Sequence, residues 1–427
     1  MFNLSKSPAL SFVLVCVLLD VIGFGLIIPV LPGLVGEFTS SAKSQSLWYG
    51  VLMAAYGFAQ FFAAPLLGSL SDRFGRRPVL LLSMCGWGLD FLLIAFAPNL
   101  WGILLARLLG GMTGAGFIVA SAYVADVTTP EKRTQGMGLI GAMFGVGFIV
   151  GPALGGILGE YGVRVPFYVA CAVALLNAAY GYFVLPESLS AEKRTRYTRS
   201  ELLAKSNPFT ALLALKKLGA ATPGAGYVLA LVVALAVSDL AQFMMHTTFV
   251  LFTTHRYGWT PMDNGWALFV VGVLMAVVQG GLLGPLIKRW GERRLALVAL
   301  SFGVVEFIGF AFAVNGSFLV GVIILCFLAG ASHPAVMGLI SQGVPETEQG
   351  AVMGAITGLS ALMIVLAPLV ATPLFAATSH FAVTDVRFGT TYLVAAALQA
   401  LSVWLVWRAL RKPAEFAPVA KEQKAAI

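Results

Sequence analysis

The chain predicts an all-α integral membrane protein, with twelve transmembrane helices in two pseudo-symmetric halves of six. Three observations carry this reading. Of 427 residues, 59% are hydrophobic and 11% charged, with a mean hydropathy of +0.89, more apolar surface than a water-soluble protein of this length hides. The apolar residues fall in runs of roughly 20, the length of a helix that crosses a bilayer. And segments of the first half recur 216 residues later.

Taken in order, the runs lie near residues 9–32, 47–70, 78–97, 100–124, 136–159, 165–185, 224–253, 263–287, 295–314, 317–343, 351–378 and 389–410. The first is too long for a signal-peptide core and contains Asp20, so it reads as a retained span. The longest interruption, 186–223, begins Pro186-Glu187-Ser188 and carries Lys193, Arg194, Arg196, Arg199, Lys205, Lys216 and Lys217. It divides an N-terminal half, 1–185, from a C-terminal half, 224–410. Residues 411–427 form a polar tail. Of the 27 Lys and Arg, Lys43, Arg164, Arg256 and Arg387 fall on one side of the membrane and Arg107 within a span; the rest fall on the other side. The basic side is the cytoplasmic one, which puts both termini in the cytoplasm. The net charge of +8 is therefore topology, not a nucleic-acid footprint. Cys16, Cys85, Cys171 and Cys326 all lie in apolar spans without metal-like spacing and read as small packing residues.

Between the second and third spans stands Gly68-Ser69-Leu70-Ser71-Asp72-Arg73-Phe74-Gly75-Arg76-Arg77. The sequence reads it as a ten-residue loop whose glycines allow a tight turn. A degraded copy, Gly284-Pro-Leu286-Ile-Lys288-Arg289-Trp290-Gly291-Glu292-Arg293, follows at the 216-residue offset. At the same offset Asp90 aligns with Glu306, Asn99 with Asn315 and Pro152 with Pro368. Such duplication marks secondary transporters, whose substrates bind between the repeats near the midplane. Asp72 and Arg76 are candidates for a cytoplasmic gate, pairing across the halves or capping a helix end.

Away from the span ends, five charged residues lie inside the spans: Asp20, Asp90, Arg107, Asp239 and Glu306. A charge in the bilayer centre costs roughly 2.5–3.5 kcal/mol on insertion scales, so such residues face cavities, pair, or carry protons. Burial favours the protonated carboxyl and a nearby arginine the ionised one, so alternating surroundings load and release a proton. Arg107 shares a helical face with Gly110, Gly111 and Gly114, small residues that admit a second helix; its partner is Asp20 or Asp90. Asp239, Gln242 and His246 make a polar stripe on the seventh span. Gln60 and Gln242 are candidate hydrogen-bond partners of a substrate, and Phe24, Trp87, Phe91 and Met245 candidate apolar contacts. In the fifth span Gly147, Gly151 and Gly155 repeat at i, i+4, i+8, with Pro152 and Gly156 alongside, a smooth packing groove or an asymmetric seal. No catalytic or metal-binding motif of a soluble enzyme is present.

These residues resemble the major facilitator superfamily, and more closely its drug:proton antiporters of the tetracycline-exporter type. The motif Gly68 to Arg77 is similar to the superfamily's loop motif, including Asp72, Arg73, Gly75 and Arg76. Leu104-Leu-Ala-Arg107-Leu-Leu-Gly110-Gly111-Met-Thr-Gly114 resembles its fourth-span motif, and Gly147-x-x-x-Gly151-Pro152-x-x-Gly155-Gly156 the fifth-span motif of antiporters. Asp20-Val-Ile-Gly23-Phe-Gly25 through Pro32, with Asp90 and Ala97-Pro98-Asn-Leu-Trp101, resembles tetracycline exporters in particular. The second half departs: Met275 and Gly303 stand where those exporters carry a His and an Asp. The resemblance implies proton-driven export of an amphipathic drug at the cell inner membrane, with tetracycline, as its metal chelate, the leading substrate. It implies no cofactor beyond the proton gradient, a divalent metal carried only by the substrate, and a monomer in lipid. The competing expectations are a facilitator of another small molecule, including a symporter, and a non-transporting membrane sensor or scaffold.

Overall fold

The computed structural model describes residues 8–114, 116–129, 132–195, 198, 207–209 and 225–411. Within them run α1 (Pro8–Ile27), α2 (Leu31–Gly36), α3 (Ala42–Phe74), α4 (Arg76–Phe96), α5 (Leu100–Thr113), α6 (Gly116–Val127), α7 (Arg133–Gly159) and α8 (Val165–Val184). After the linker come α9 (Ala225–Tyr257), α10 (Pro261–Val277), α11 (Leu283–Phe312), α12 (Gly316–Leu325), α13 (Ser332–Gln342), α14 (Glu346–Thr378) and α15 (Thr390–Arg411). No strand occurs among the described residues. Arg196, Arg199, Lys205, Lys216 and Lys217 of the linker, and residues 412–427, lie outside the described residues.

Among the described residues, ten helical stretches are long and apolar enough to span a membrane, and α12 with the segment after it makes an eleventh, bent by 47°. One of the ten, Pro261–Phe312, has 52 residues, which as a straight helix would be about 78 Å long, more than a bilayer holds. It is interrupted at Gly291, whose φ of 74° is not helical. Read as two crossings, it brings the total to the expected twelve. This is a multi-pass membrane protein.

The repeat is structural as well as sequential. Asn99 caps α5, its side chain accepting from Gly102 N at 3.0 Å, and Asn315 caps α12, accepting from Phe318 N at 2.8 Å; each satisfies an otherwise orphaned donor. The fourth and tenth spans both break, after Thr113 and after Leu325, and resume at Gly116 and Ser332, 216 residues apart. Gly75 (φ 105°, ψ 158°) and Gly291 (φ 74°, ψ 158°) adopt nearly the same backbone, one that side chains with a Cβ rarely tolerate.

That last point corrects one expectation. The motif from Gly68 to Arg77 is not a ten-residue loop. Helix α3 runs through Phe74, α4 starts at Arg76, and the turn is Gly75 alone. Glycine supplies the reversal in one residue, so Asp72 and Arg76 are held on ordered helix ends.

The chain divides into two compact units, one of residues 1–207 with 249–273, the other of 208–248 with 274–427. The segment 249–273, which the sequence division counts with the C-terminal half, belongs to the first of these. In the first unit the fifth-span glycines face two ways. Gly147, Gly151 and Gly155 lie against Val21, Gly25 and Leu26 of α1, whereas Gly156 meets Gly265 and Pro261 at the start of α10. A Cβ on Gly151 would fall 2.8 Å from Gly25 Cα and 2.9 Å from the Ile22 carbonyl oxygen, backbone that cannot step aside. Gly151→Leu is expected to lose about 1–3 kcal/mol or more through overpacking. Gly145→Leu on the same helix, where no described residue lies within 4 Å, should melt like the parent. Equal melting of the two variants in detergent would refute this packing.

Candidate functional site

In the first unit, α4 and α5 bring Asp90 and Arg107 together as a hydrogen-bonded ion pair, each side chain only 2% exposed. Local sequence makes the pair possible. A Cβ on Gly110 would collide with the Asp90 carboxylate, at 2.6 Å from its carbon, and one on Gly111 with the Ala59 methyl at 2.7 Å. The glycines thus let α3 and α4 close on α5. The guanidinium carbon of Arg107 also sits 5.2 Å from the Tyr56 ring centroid, a cation–π contact. Of the two partners open to Arg107, the structure selects Asp90.

Asp20 has other company. Asn177 of α8 donates from Nδ2 to Asp20 Oδ1 at 2.9 Å and to the Cys16 carbonyl at 2.9 Å. The other oxygen of Asp20 lies 3.2 Å from where a Cβ on Gly116 would stand, at the start of α6. Gln60 donates to the Gly114 carbonyl at 2.8 Å, satisfying a backbone acceptor freed by the break in the fourth span. Asn177 carried no signal that singled it out; it was one neutral polar residue in an apolar span.

The candidate apolar contacts of the first unit stand near one another. Phe24 and Trp87 rings lie 6.3 Å apart, and Trp87 and Phe91 also 6.3 Å. Phe24 and Trp87 are half-buried, and the indole Nε1 of Trp87 has no hydrogen-bond partner among the described residues. Phe91 is buried, at 2% exposure, with its ring against Trp87. Met245 is buried in the same way at 9%.

In the second unit, Asp239 on α9 meets His333 Nδ1 at 3.2 Å and accepts from the Ser360 hydroxyl at 2.5 Å. The sequence placed Asp239 in a stripe with Gln242 and His246. Gln242 is half-buried and His246 exposed, its ring 6.2 Å from Phe243. Neither is the partner of Asp239; that comes from α13, which single-span periodicity does not reveal. Glu306 on α11 is half-buried. The residue at the repeat position of Arg107 is Ile323, so Glu306 has no counterpart of the arginine that neutralises Asp90.

The motif at Gly75 is a charge cluster. Arg76 pairs with Asp72 at 2.6 Å and with Asp126 at 3.1 Å, and its backbone N–H donates to Glu187 at 2.8 Å. Arg77 donates to the Tyr182 carbonyl with its guanidinium over that ring, and Arg73 lies over Phe74. Asp126 and Glu187 are the participants the sequence did not single out. The repeat could have found the first: Arg76 and Asp126 correspond to Glu292 and Gln342, which are also hydrogen-bonded. An ion pair in one unit is a carboxylate–amide pair in the other. No cluster of metal-ligating side chains occurs among the described residues.

The family model described as Major Facilitator Superfamily matches residues 13–368. The chain belongs to the major facilitator superfamily. This facilitator is 35% identical over 395 residues to the tetracycline resistance protein, class C, of Escherichia coli, covering 92% of the chain and 95% of that protein. It is 38% identical over 357 residues to the class B protein of the same organism, covering 83% and 86%. Among solved structures, the human organic anion transporter MFSD10 (TETRAN) matches with a TM-score of 0.69 at 24% identity, over 93% of this chain and 99% of that one, a likeness of fold. Facilitators of this superfamily move small molecules.

Proposed function

We propose that the chain is a proton-coupled antiporter that exports an amphipathic drug across the cell inner membrane by alternating access, with both termini cytoplasmic. Tetracycline, as its metal chelate, is the first candidate substrate. The observation that carries this reading is the pair of intramembrane carboxylates in the first unit: Asp90 locked to Arg107, and Asp20 held by the neutral Asn177. The extended likeness to tetracycline resistance proteins supports the choice of substrate.

The chemistry follows from the pairing. A proton on Asp90 cancels the charge that Arg107 faces and leaves a buried cation without its partner, which favours any arrangement that re-solvates or re-pairs the guanidinium. Loss of the proton restores the pair. Asp20, close to the start of α6, has no cation to compensate it among the described residues and is a second point of proton uptake or of contact with a cationic chelate. In the first unit Trp87 and Phe24, with Gln60, are the candidate substrate contacts; in the second unit Gln242 and His246 are. The Asp72–Arg76–Asp126 cluster, with Gly68, Arg73 and Arg77, holds the cytoplasmic gate, and the fifth-span glycines form the packing seal. The protein requires no cofactor; the proton gradient drives transport, and any divalent metal arrives with the substrate. It works as a monomer in the lipid bilayer.

A resistance panel in an efflux-deficient host tests this. Expression should raise tolerance to tetracycline, and collapse of the proton gradient should abolish the tetracycline efflux measured in the same cells. Unchanged tetracycline tolerance with verified membrane expression would defeat the substrate assignment. Substrate accumulation driven inward by the gradient would replace antiport by symport.

A further inference from the structure

The second unit holds a polar cluster that the antiport reading above does not use. Asp239 Oδ1 meets His333 Nδ1 at 3.2 Å, and Oδ2 accepts from Ser360 at 2.5 Å. Three helices contribute: α9, α13 and α14. The Asp239 side chain is 10% exposed, that of His333 52%. The carboxylate is thus withdrawn and the imidazole is its accessible edge. His333 is the second residue of α13, in the turn where the broken tenth span resumes.

The duplication supplies an independent reason to read this as a site. The counterpart of Ser332, which opens α13, is Gly116, which opens α6. Asp20 lies against Gly116. The counterpart of Asp239 is Gly23, one turn beyond Asp20 on the same helix face. Each unit therefore sets an acid from its first span against the resumption of its broken fourth span, displaced by one turn. In the first unit the acid's partner is an amide, Asn177, which cannot carry a proton; in the second it is an imidazole, which can.

We propose that Asp239 and His333 form a proton-exchange site of the second unit, with Ser360 as the positioning residue that anchors the far carboxylate oxygen. A proton taken up at His333 Nε2 allows the Nδ1 proton to pass to Asp239 Oδ1. The imidazole is left neutral as the other tautomer, and Asp239 as a carboxylic acid. Release runs the same transfer in reverse, so charge and protons balance with no other reactant. The inference rests on the antiport reading, because protons must be exchanged for a substrate in order to be counted.

The test uses the full-length purified protein and tetracycline with Mg²⁺ as the probe, with two readouts. Substrate-induced proton release is followed in weakly buffered detergent solution, and tetracycline counterflow in proteoliposomes without a proton gradient. Asp239→Asn and His333→Gln should release fewer protons per bound substrate than the parent, while counterflow, which needs no net proton movement, persists. Ser360→Ala should slow the release without changing its amount, and Asp239→Glu should restore part of it. Proton release by Asp239→Asn equal to the parent's overturns this proposal and leaves antiport standing. Loss of counterflow in both Asp239→Asn and His333→Gln, unrelieved in Asp239→Glu, overturns it in favour of a purely structural pair. A parent protein that exchanges tetracycline but releases no protons overturns the antiport reading, and this one with it.

Discussion

Arg107→Leu is expected to destabilise the protein by about 3–5 kcal/mol, the usual result of stripping one partner from a buried ion pair. The Asp90 carboxylate would remain 2% exposed, with neither water nor a cation to compensate it. Its second oxygen already lacks a partner among the described residues, so the site has no spare donor to redirect. The double variant Arg107→Leu/Asp90→Asn removes the uncompensated charge and should recover most of the loss. What stays lost is the contact of the guanidinium with Tyr56, worth roughly 0.5–2 kcal/mol. The measurement is thermal unfolding in detergent followed by thiol labelling. Cys16, Cys171 and Cys326 are buried and become reactive only on unfolding, over a constant background from the exposed Cys85. If single and double variants melt alike, the penalty belongs to packing of the arginine stem and not to an orphaned charge.

The fold was legible because lipid makes it so. With no water to satisfy the backbone, each crossing must be a helix of known length, and duplication turned weak local matches into a pattern. The same comparison aligned Asn99 with Asn315 and Gly75 with Gly291, which prove to be two helix caps and two glycine turns. What escaped was whatever depends on neighbouring helices. Arg107 shows this: the sequence left Asp20 and Asp90 as equal partners, and only the approach of α4 over Gly110 decides between them. Asn177 and Ser360 escaped because a single neutral polar residue in an apolar span has no distinguishing signature. Asp126 and Glu187 escaped because span-end acids are common and their arginine comes from a distant turn. His333, before Pro334 in the tenth span, carries no signal that ties it to Asp239; yet the helix that presents it opens at Ser332, whose counterpart 216 residues earlier is Gly116. The ten-residue loop was the one clear misreading: a glycine with positive φ compresses the reversal into a single residue, and sequence spacing alone does not distinguish that from a longer turn.

Asp20→Asn is expected to leave the fold intact and reduce active efflux to the background of a host without the transporter. The two expectations have one structural origin. Asp20 is held by a hydrogen bond in which Asn177 donates, and an asparagine carbonyl accepts that bond as a carboxylate does. The substitution is isosteric, so the amide fits beside Gly116 where the carboxylate oxygen lay, and unfolding should shift by less than about 0.5 kcal/mol, as for a change that breaks no contact. Only the proton and the negative charge are lost. Asp20→Glu gives the converse case: it keeps the charge but pushes the carboxylate one methylene toward the start of α6, where there is little room, so partial efflux with lowered stability is expected. Drug uptake into everted vesicles, alongside thermal unfolding, separates these outcomes. An Asp20→Asn protein that pumps at the parental rate would remove Asp20 from the coupling path and leave Asp90 as its carrier in the first unit. One that fails to fold would show that the Asn177 bond requires the full charge of its acceptor.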